Sequence, residues 1–292
     1  MIAVNAEFVR QVGPIKWAWR TTCRQFAKRV LKRGVSIGLP TGARMQIPAN
    51  SRHGSEVYVT NCDVDWGSEE LFANMADPAK DFLDIGANIG YYSLYLSPLV
   101  RKVYSFEPDG RNFDALINNI SQLGNIKHIP NAVSDRHGPV NIDISGDSSL
   151  SSIVANSGNG TVPVDAITID GFYTGYPDAE LRLVKIDIEG HDVAALEGGR
   201  DTIIRDQPLI LIEFGGGDTN PSAINNPDRL IAFCEKNNYS IFAFTKYSDG
   251  KYATRLVAIT REDFSTLRLK MLFLTPGRLR SKFLERVADG RS

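Results

Sequence analysis

Apolar positions recur with two different periods along this 292-residue chain. Val9, Val12, Ile15, Trp19, Cys23, Phe26, Val30 and Leu31 stand three or four apart, which predicts an amphipathic helix from Glu7 to Arg33, interrupted near Gly13-Pro14 and ended by Gly34. Between 35 and 80 the pattern is of short strands and turns. "EVYVTN" is the best strand there, and "GSEELFANMAD" is a short acidic-starting helix with Ser68 as its cap.

From residue 81 strand and helix alternate: "DFLDI", "YYSLYLSPLV", "KVYSFEP", "GRNFDALINNISQLG", "IKHIPNAV". The Ser/Gly/Asn-rich stretch within 135 to 165 breaks this rhythm, as a mobile loop or as a hairpin over a site. It then resumes with "AITIDGF", strand "LRLVKIDIE", helix "HDVAALEGGRDTII", strand "PLILIEF", a Gly-rich break "GGGDTNPSAINNP" and helix "DRLIAFCEKNN". "YSIFAFTK" and "YATRLVAIT", joined by "YSDG", read as a closing hairpin. Such alternation predicts right-handed β-α-β units and an α/β fold, a mostly parallel sheet with an antiparallel C-terminal hairpin and helices on both faces. We divide the chain into a basic helix and N-terminal cap (1–66), a main domain (67–260) and a basic C-terminal extension (261–292).

Charge refines this picture. The net charge is −1, yet residues 1 to 40 hold eight Lys/Arg against Glu7 alone, and residues 261 to 292 hold eight against four acids. Basic ends therefore flank an acidic body. The N-terminal helix either packs on the domain with a solvated basic face or lies on an anionic membrane surface, so peripheral membrane contact through the basic ends is an expectation. No recognition motif accompanies the basic residues, so nucleic acid is not an expected partner. Three widely spaced cysteines, Cys23, Cys62 and Cys234, suit neither a disulfide framework nor a zinc cluster. With no apolar run of membrane-spanning length and no signal-peptide pattern, a cytoplasmic location is expected.

The chemistry centres on "FLDIGANIGYYSLYL". Asp84, Gly86, Asn88 and Gly90 fall at a strand-to-helix turn, where open α/β sheets bind ligands, and glycines there let backbone approach a guest. Asn88 replaces the central glycine of the dinucleotide fingerprint. An acid at the end of the next strand, Glu107, suits instead a ligand with an amino-acid end and a ribose, as in S-adenosylmethionine: Asp84 for the amino group and Glu107 for both ribose hydroxyls. Along "LRLVKIDIEGHD", Lys185, Asp187 and Glu189 share one side of the strand, Val184, Ile186 and Ile188 the other. Three charges on one side of a central strand point to a site.

With "FLDIGANIGYYS", "VYSFEP", "NAVSD" and "VKIDIEGHDVAALEGG" in order, the chain resembles the FkbM-type family of S-adenosylmethionine-dependent methyltransferases over about residues 81 to 215. The resemblance implies a seven-stranded Rossmann-like class I methyltransferase fold and methylation of hydroxyl oxygens, often on sugars, glycoconjugates or macrolide-type natural products. It carries Asp84, Gly86, Asn88, Gly90 and Glu107 over as cofactor contacts, with Ala87 and Pro108 inside the same motifs, and sets Asn131 and Ala132 beside the adenine. The expected acceptor is a hydroxyl-bearing sugar or glycoconjugate.

A hydroxyl is a poor nucleophile until its proton is being removed, so such a site needs a base or a metal. Glu189 and His191 are the candidate bases; Lys185 and Glu213, the latter ending "LILIEF", complete the candidate catalytic set. Asp187 is placed at the amino-acid end of the cofactor, or on a divalent cation. A Mg²⁺ site from Asp187, Glu213 and His191 lacks a fixed ligand spacing and is not expected. His53, His128 and His137 show no partner pattern and read as structural or exposed. An NAD-type oxidoreductase and a non-catalytic partner in glycan assembly are the rival readings.

Overall fold

The computed structural model describes residues 6–121, 123–149, 151–154, 157–214, 227–245, 255–267 and 269–289. The chain opens with α1 (Ala6–Val12) and α2 (Pro14–Arg29), parted at Gly13 as its sequence predicts, then an antiparallel ribbon of β1 (Val35–Gly38) and β2 (Arg44–Ile47), and helices α3 (Arg52–Thr60) and α4 (Ser68–Asn74). The alternating region follows as β3 (Asp81–Ile85), α5 (Tyr91–Leu96), β4 (Lys102–Phe106), α6 (Gly110–Ile120) and β5 (Ile126–Ile129). Next come β6 (Ala132–Val133), β7 (Gly138–Asp143), β8 (Ser152–Val154), β9 (Thr161–Ile167) and α7 (Ile169–Tyr173). The second half holds β10 (Leu181–Ile186), α8 (Asp192–Glu197), α9 (Arg200–Asp206), β11 (Leu209–Glu213), α10 (Pro227–Lys236), β12 (Tyr239–Thr245), β13 (Arg255–Ala258), α11 (Asp263–Thr266), β14 (Met271–Pro276) and α12 (Arg280–Asp289).

Eight strands form the main sheet in the order β13-β12-β14-β11-β10-β3-β4-β5. β5, β4, β3, β10 and β11 run parallel, and β14 enters antiparallel between β11 and β12. This is the expected α/β fold with one strand more than the seven anticipated. The β12–β13 pair is antiparallel as read, but β14, from the segment assigned to the C-terminal extension, separates it from β11. Every residue of β3, β10 and β14 is buried. Leu83, Ile85, Val184 and Ile186 pack on one face, and Phe82, Leu183, Leu209 and Leu211 on the other, as helices on both faces of a sheet require. The order reverses between β3 and β10, which opens a crevice beyond their carboxyl ends.

Three local readings are corrected. "EVYVTN" is not a strand but lies in α3, whose ends are fixed by Ser51, accepting the Gly54 N–H at 2.9 Å, and by Asn61 in the left-handed conformation. Ser68 is the first residue of α4 and Gly67 is its cap. "HDVAALEGGRDTII" is two helices, because the chain at Gly198 passes so near the Ser134 carbonyl that a Cβ would stand 2.1 Å from its oxygen. The Ser-rich region takes the hairpin alternative, within a four-stranded sheet of order β6-β9-β7-β8. The Gly-rich break after Phe214, apart from its last residue Pro227, and the "YSDG" turn lie outside the described residues.

Candidate functional site

The turn from β3 into α5 is built by its own backbone. The N–H groups of Gly86 and Ala87 both donate to the Phe106 carbonyl, at 3.0 and 2.9 Å, which ties the loop to the end of β4. Gly86 has φ +80°, and a Cβ there would stand 1.9 Å from the Asp187 carbonyl oxygen. At Gly90, φ +90°, a Cβ would stand 3.0 Å from Leu116 of α6. The neighbouring strand end and helix thus themselves require glycine at these two positions. Gly86→Ala is expected to cost roughly 3 kcal/mol and lower the melting temperature by about 5 °C, read by thermal unfolding monitored by circular dichroism.

Asn88, φ +51°, donates its backbone N–H to Glu107 Oε2 at 2.7 Å, and Asp109 donates to Glu107 Oε1 at 2.9 Å. Burial pushes the Glu107 carboxyl up to about 7, against the pull of those two N–H groups. The Asn112 side chain draws on the same carboxylate; with about four acceptor positions, Glu107 keeps acceptor capacity on the cleft. Asp84 is fully buried: its Oδ2 accepts from Ser93 Oγ at 2.5 Å, while Oδ1 has no hydrogen-bond donor among the described residues and stands 4.0 Å from Lys185 Nζ. Its carboxyl is pushed up, chiefly by burial. Ala87, Pro108, Asn131 and Ala132 line the same cleft, and Asn131 Nδ2 donates to the Asp165 carbonyl at 3.1 Å.

The second half of the cleft is charged. Lys185 Nζ donates to the Gly86 carbonyl at 3.0 Å, pairs with Asp187 at 3.0 Å, and lies 5.5 Å from the centre of the Tyr92 ring. Burial works to lower its pKa, but Asp187 and Asp84 outweigh burial and hold it above the ordinary lysine value. A lysine held protonated cannot act as a base, so Lys185 is a fixed cation that locks the glycine loop to β10.

Glu213 follows Asp187 across the β10–β11 register and is hydrogen-bonded to it. Burial and the Asp187 charge raise the Glu213 carboxyl far above its usual range. Burial acts against Asp187 too, yet Lys185 and Glu213 hold its carboxylate below the usual value, so the pair shares one proton with Asp187 ionised. Glu189 follows through a turn in the left-handed conformation, φ +54°, fixed by Asp192, which accepts from the Ile188 and Gly190 N–H groups at 3.1 and 3.0 Å. Burial and Asp187 push Glu189 up to about 8. Oxygens of Asp187, Glu189 and Glu213 lie within 4.8 Å of one another, their charge balanced by Lys185 and the shared proton.

Sequence reasoning paired Glu189 with His191 as candidate bases, and the structure separates them. His191 does not line the cleft; its Nε2 lies 2.9 Å from Ser134 Oγ, because Gly190 at φ +94° turns the chain away. His53, read as structural or exposed, is the histidine on the cleft wall. It belongs to the first turn of α3, lines the cleft, and packs edge-on against Tyr91 at 5.8 Å. Burial lowers its pKa, opposed by Glu56, Asp65 and Asp187, so the ring is neutral at pH 7.

Over the glycine turn runs the Ser-rich segment. Arg111 donates to the Ile144 and Gly146 carbonyls, each at 2.8 Å, and to Ser151 Oγ at 2.9 Å, while Asn88 and Asn112 both donate to the Ser148 carbonyl. The segment is a strap held over the cleft.

Compared with known proteins, residues 84–241 match the model of the methyltransferase FkbM domain, just over half the chain. The hexuronic acid methyltransferase AglP of Haloferax volcanii is 23% identical over 207 residues, 65% of this chain and 83% of that protein. Among solved structures, methyltransferase FkbM from Methylobacillus flagellatus KT is similar at 15% identity and a TM-score of 0.42, covering 75% of this chain and 52% of the other, so this chain spans about half its length. The Streptococcus mutans protein SMU.1697c, solved in complex with SAH, is similar at 12% identity and a TM-score of 0.40, covering 71% of this chain and 95% of the other. The chain belongs to the FkbM methyltransferase domain family.

Proposed function

We propose that this protein is an S-adenosylmethionine-dependent O-methyltransferase acting on a hydroxyl of a sugar or glycoconjugate, with His53 as general base. The observation that carries the reading is that one cleft is lined both by the Gly86–Gly90 turn with Glu107 and by the charged set around Asp187 with His53. The residues fit the cofactor's chemistry. Asp84 Oδ1 is a buried carboxylate oxygen without a hydrogen-bond donor among the described residues, suited to the amino-acid end, and Glu107 keeps acceptor capacity for a ribose hydroxyl. When bound, the cofactor supplies an electrophilic methyl group.

The chain's own residues then have separable tasks. Lys185 holds the Gly86 carbonyl and so fixes the loop against β10. His53, neutral at pH 7, takes the proton of the acceptor hydroxyl, and the nearby Asp187 carboxylate stabilises the imidazolium that results. Glu189, raised to about 8, is largely protonated at that pH and acts as a hydrogen-bond donor to the acceptor. Exposed Arg52 on the cleft wall suits an acidic sugar, in keeping with the hexuronic acid named for the Haloferax volcanii relative.

Calorimetry with S-adenosylhomocysteine and with NAD tests the cofactor, and methyl transfer from labelled S-adenosylmethionine to neutral and uronic-acid-containing glycans tests the acceptor. Binding of S-adenosylhomocysteine without NAD, and label on a sugar hydroxyl, is expected. Binding of NAD alone overturns the reading.

A further inference from the structure

Helix α2 is turned inside out. Its protein-facing side is built on arginines: Arg20 Nε donates to the Tyr58 carbonyl at 2.5 Å with its guanidinium over the Tyr58 ring at 4.6 Å, and the buried Arg24 donates to Ser55 Oγ at 3.1 Å and the Pro48 carbonyl at 2.6 Å. The large apolar residues face the other way. Ile15 is 86% exposed, Trp19 69%, Phe26 53% and Val30 61%. Steps of four, seven and four residues place these four on one stripe of the helix, opposite the buried Thr21, Arg24 and Ala27. Single exposed apolar residues are ordinary, but an aligned set with two aromatics marks a surface made to be covered.

Charge selects the cover. No Asp or Glu stands between Glu7 and Glu56, and Lys16, Arg29, Lys32 and Arg33 are all exposed beside or just beyond the stripe. A second copy of this chain would bring the same cations against themselves, whereas an anionic lipid surface attracts each of them. Trp and Phe with flanking Lys and Arg are the composition of a helix lying in the headgroup boundary. At 16 residues α2 is too short to cross a bilayer, and among the described residues no helix is long and apolar enough to do so. We propose that α2 docks the protein on an anionic membrane surface, with Ile15, Trp19, Phe26 and Val30 entering the interface and the basic residues beside them meeting lipid phosphates.

The docking does not depend on the methyl-transfer reading, and its test requires no substrate. The full chain is sedimented with vesicles of phosphatidylcholine alone and of an equal mixture of phosphatidylcholine and phosphatidylglycerol, at low and high salt. Binding is expected to the mixed vesicles, weakened by salt, with the W19S/F26S variant partitioning about a hundredfold less well. Both side chains are exposed, so the variant should keep the parent melting temperature. Absence of binding to the mixed vesicles, or equal binding of parent and variant, overturns the proposal. So does sedimentation velocity showing a parent dimer that the variant dissolves, since a second copy would then occupy the stripe.

Discussion

His53→Gln should lower kcat by about a hundredfold to ten-thousandfold on a sugar acceptor while leaving affinity for S-adenosylhomocysteine within about twofold. The ring lies on the cleft wall supplied by α3 and takes no part in the hydrogen bonds of Gly86, Ala87 and Asn88 that shape the cofactor cradle, so its loss removes proton acceptance and leaves those bonds in place. The pH profile separates the two candidate bases. Burial sets the imidazole below its ordinary value of 6.5, so with His53 as base kcat rises with pH through an inflection below 6.5 and is flat across neutrality. With Glu189 as base, activity would instead climb through about 8. An inflection near 8 that His53→Gln does not move would sink the assignment.

Glu107→Ala carries the other large effect, on binding. The substitution deletes the carboxylate that accepts from a ligand hydroxyl and leaves the Asn88 and Asp109 N–H groups without their partner. A hydrogen bond to a charged group is worth roughly 1.5–3 kcal/mol, so affinity for S-adenosylhomocysteine should fall by about a hundredfold or more. Calorimetry reads this directly. The parent protein adds a check of sign. Hydroxyl donors favour the ionised carboxylate, and burial sets Glu107 at about 7, so affinity should rise as pH climbs through 7 and level off above it. Unchanged affinity in the alanine variant would remove Glu107 from the cofactor site.

Both experiments address residues of unequal legibility. Glu107 was readable because it ends a strand one β-α unit after a glycine turn, a spacing set by local sequence, and the parallel register of β3 with β4 brings it to Asn88. The charged side of β10 was readable for a similar reason: period-two alternation fixes which side chains share a side until the strand ends at Ile186. Beyond that, backbone turns decide. Gly190 and the left-handed Glu189 send His191 to Ser134, which residue type and spacing do not reveal.

His53 was missed because the apolar, β-branched run Val57-Tyr58-Val59 has strand character, yet the Ser51 and Asn61 caps make the segment a helix. A serine three residues before Gly54 was the available signal, but nothing local says that the first turn of that helix meets the end of β10. β14 was hidden in "MLFLTP", six residues that are all buried and so show no alternation.

That last strand has a consequence for how the molecule is made. Among the described residues β14 is the last strand in sequence, yet its place is between β11 and β12. A nascent polypeptide that has reached β13 still lacks the strand that joins the β12–β13 ribbon to the parallel strands, and β11 presents a bare row of backbone donors and acceptors until Met271–Pro276 emerges from the ribosome. Completion of the sheet therefore waits for Met271–Pro276, and during that interval the exposed edge is the place where chaperone protection matters most.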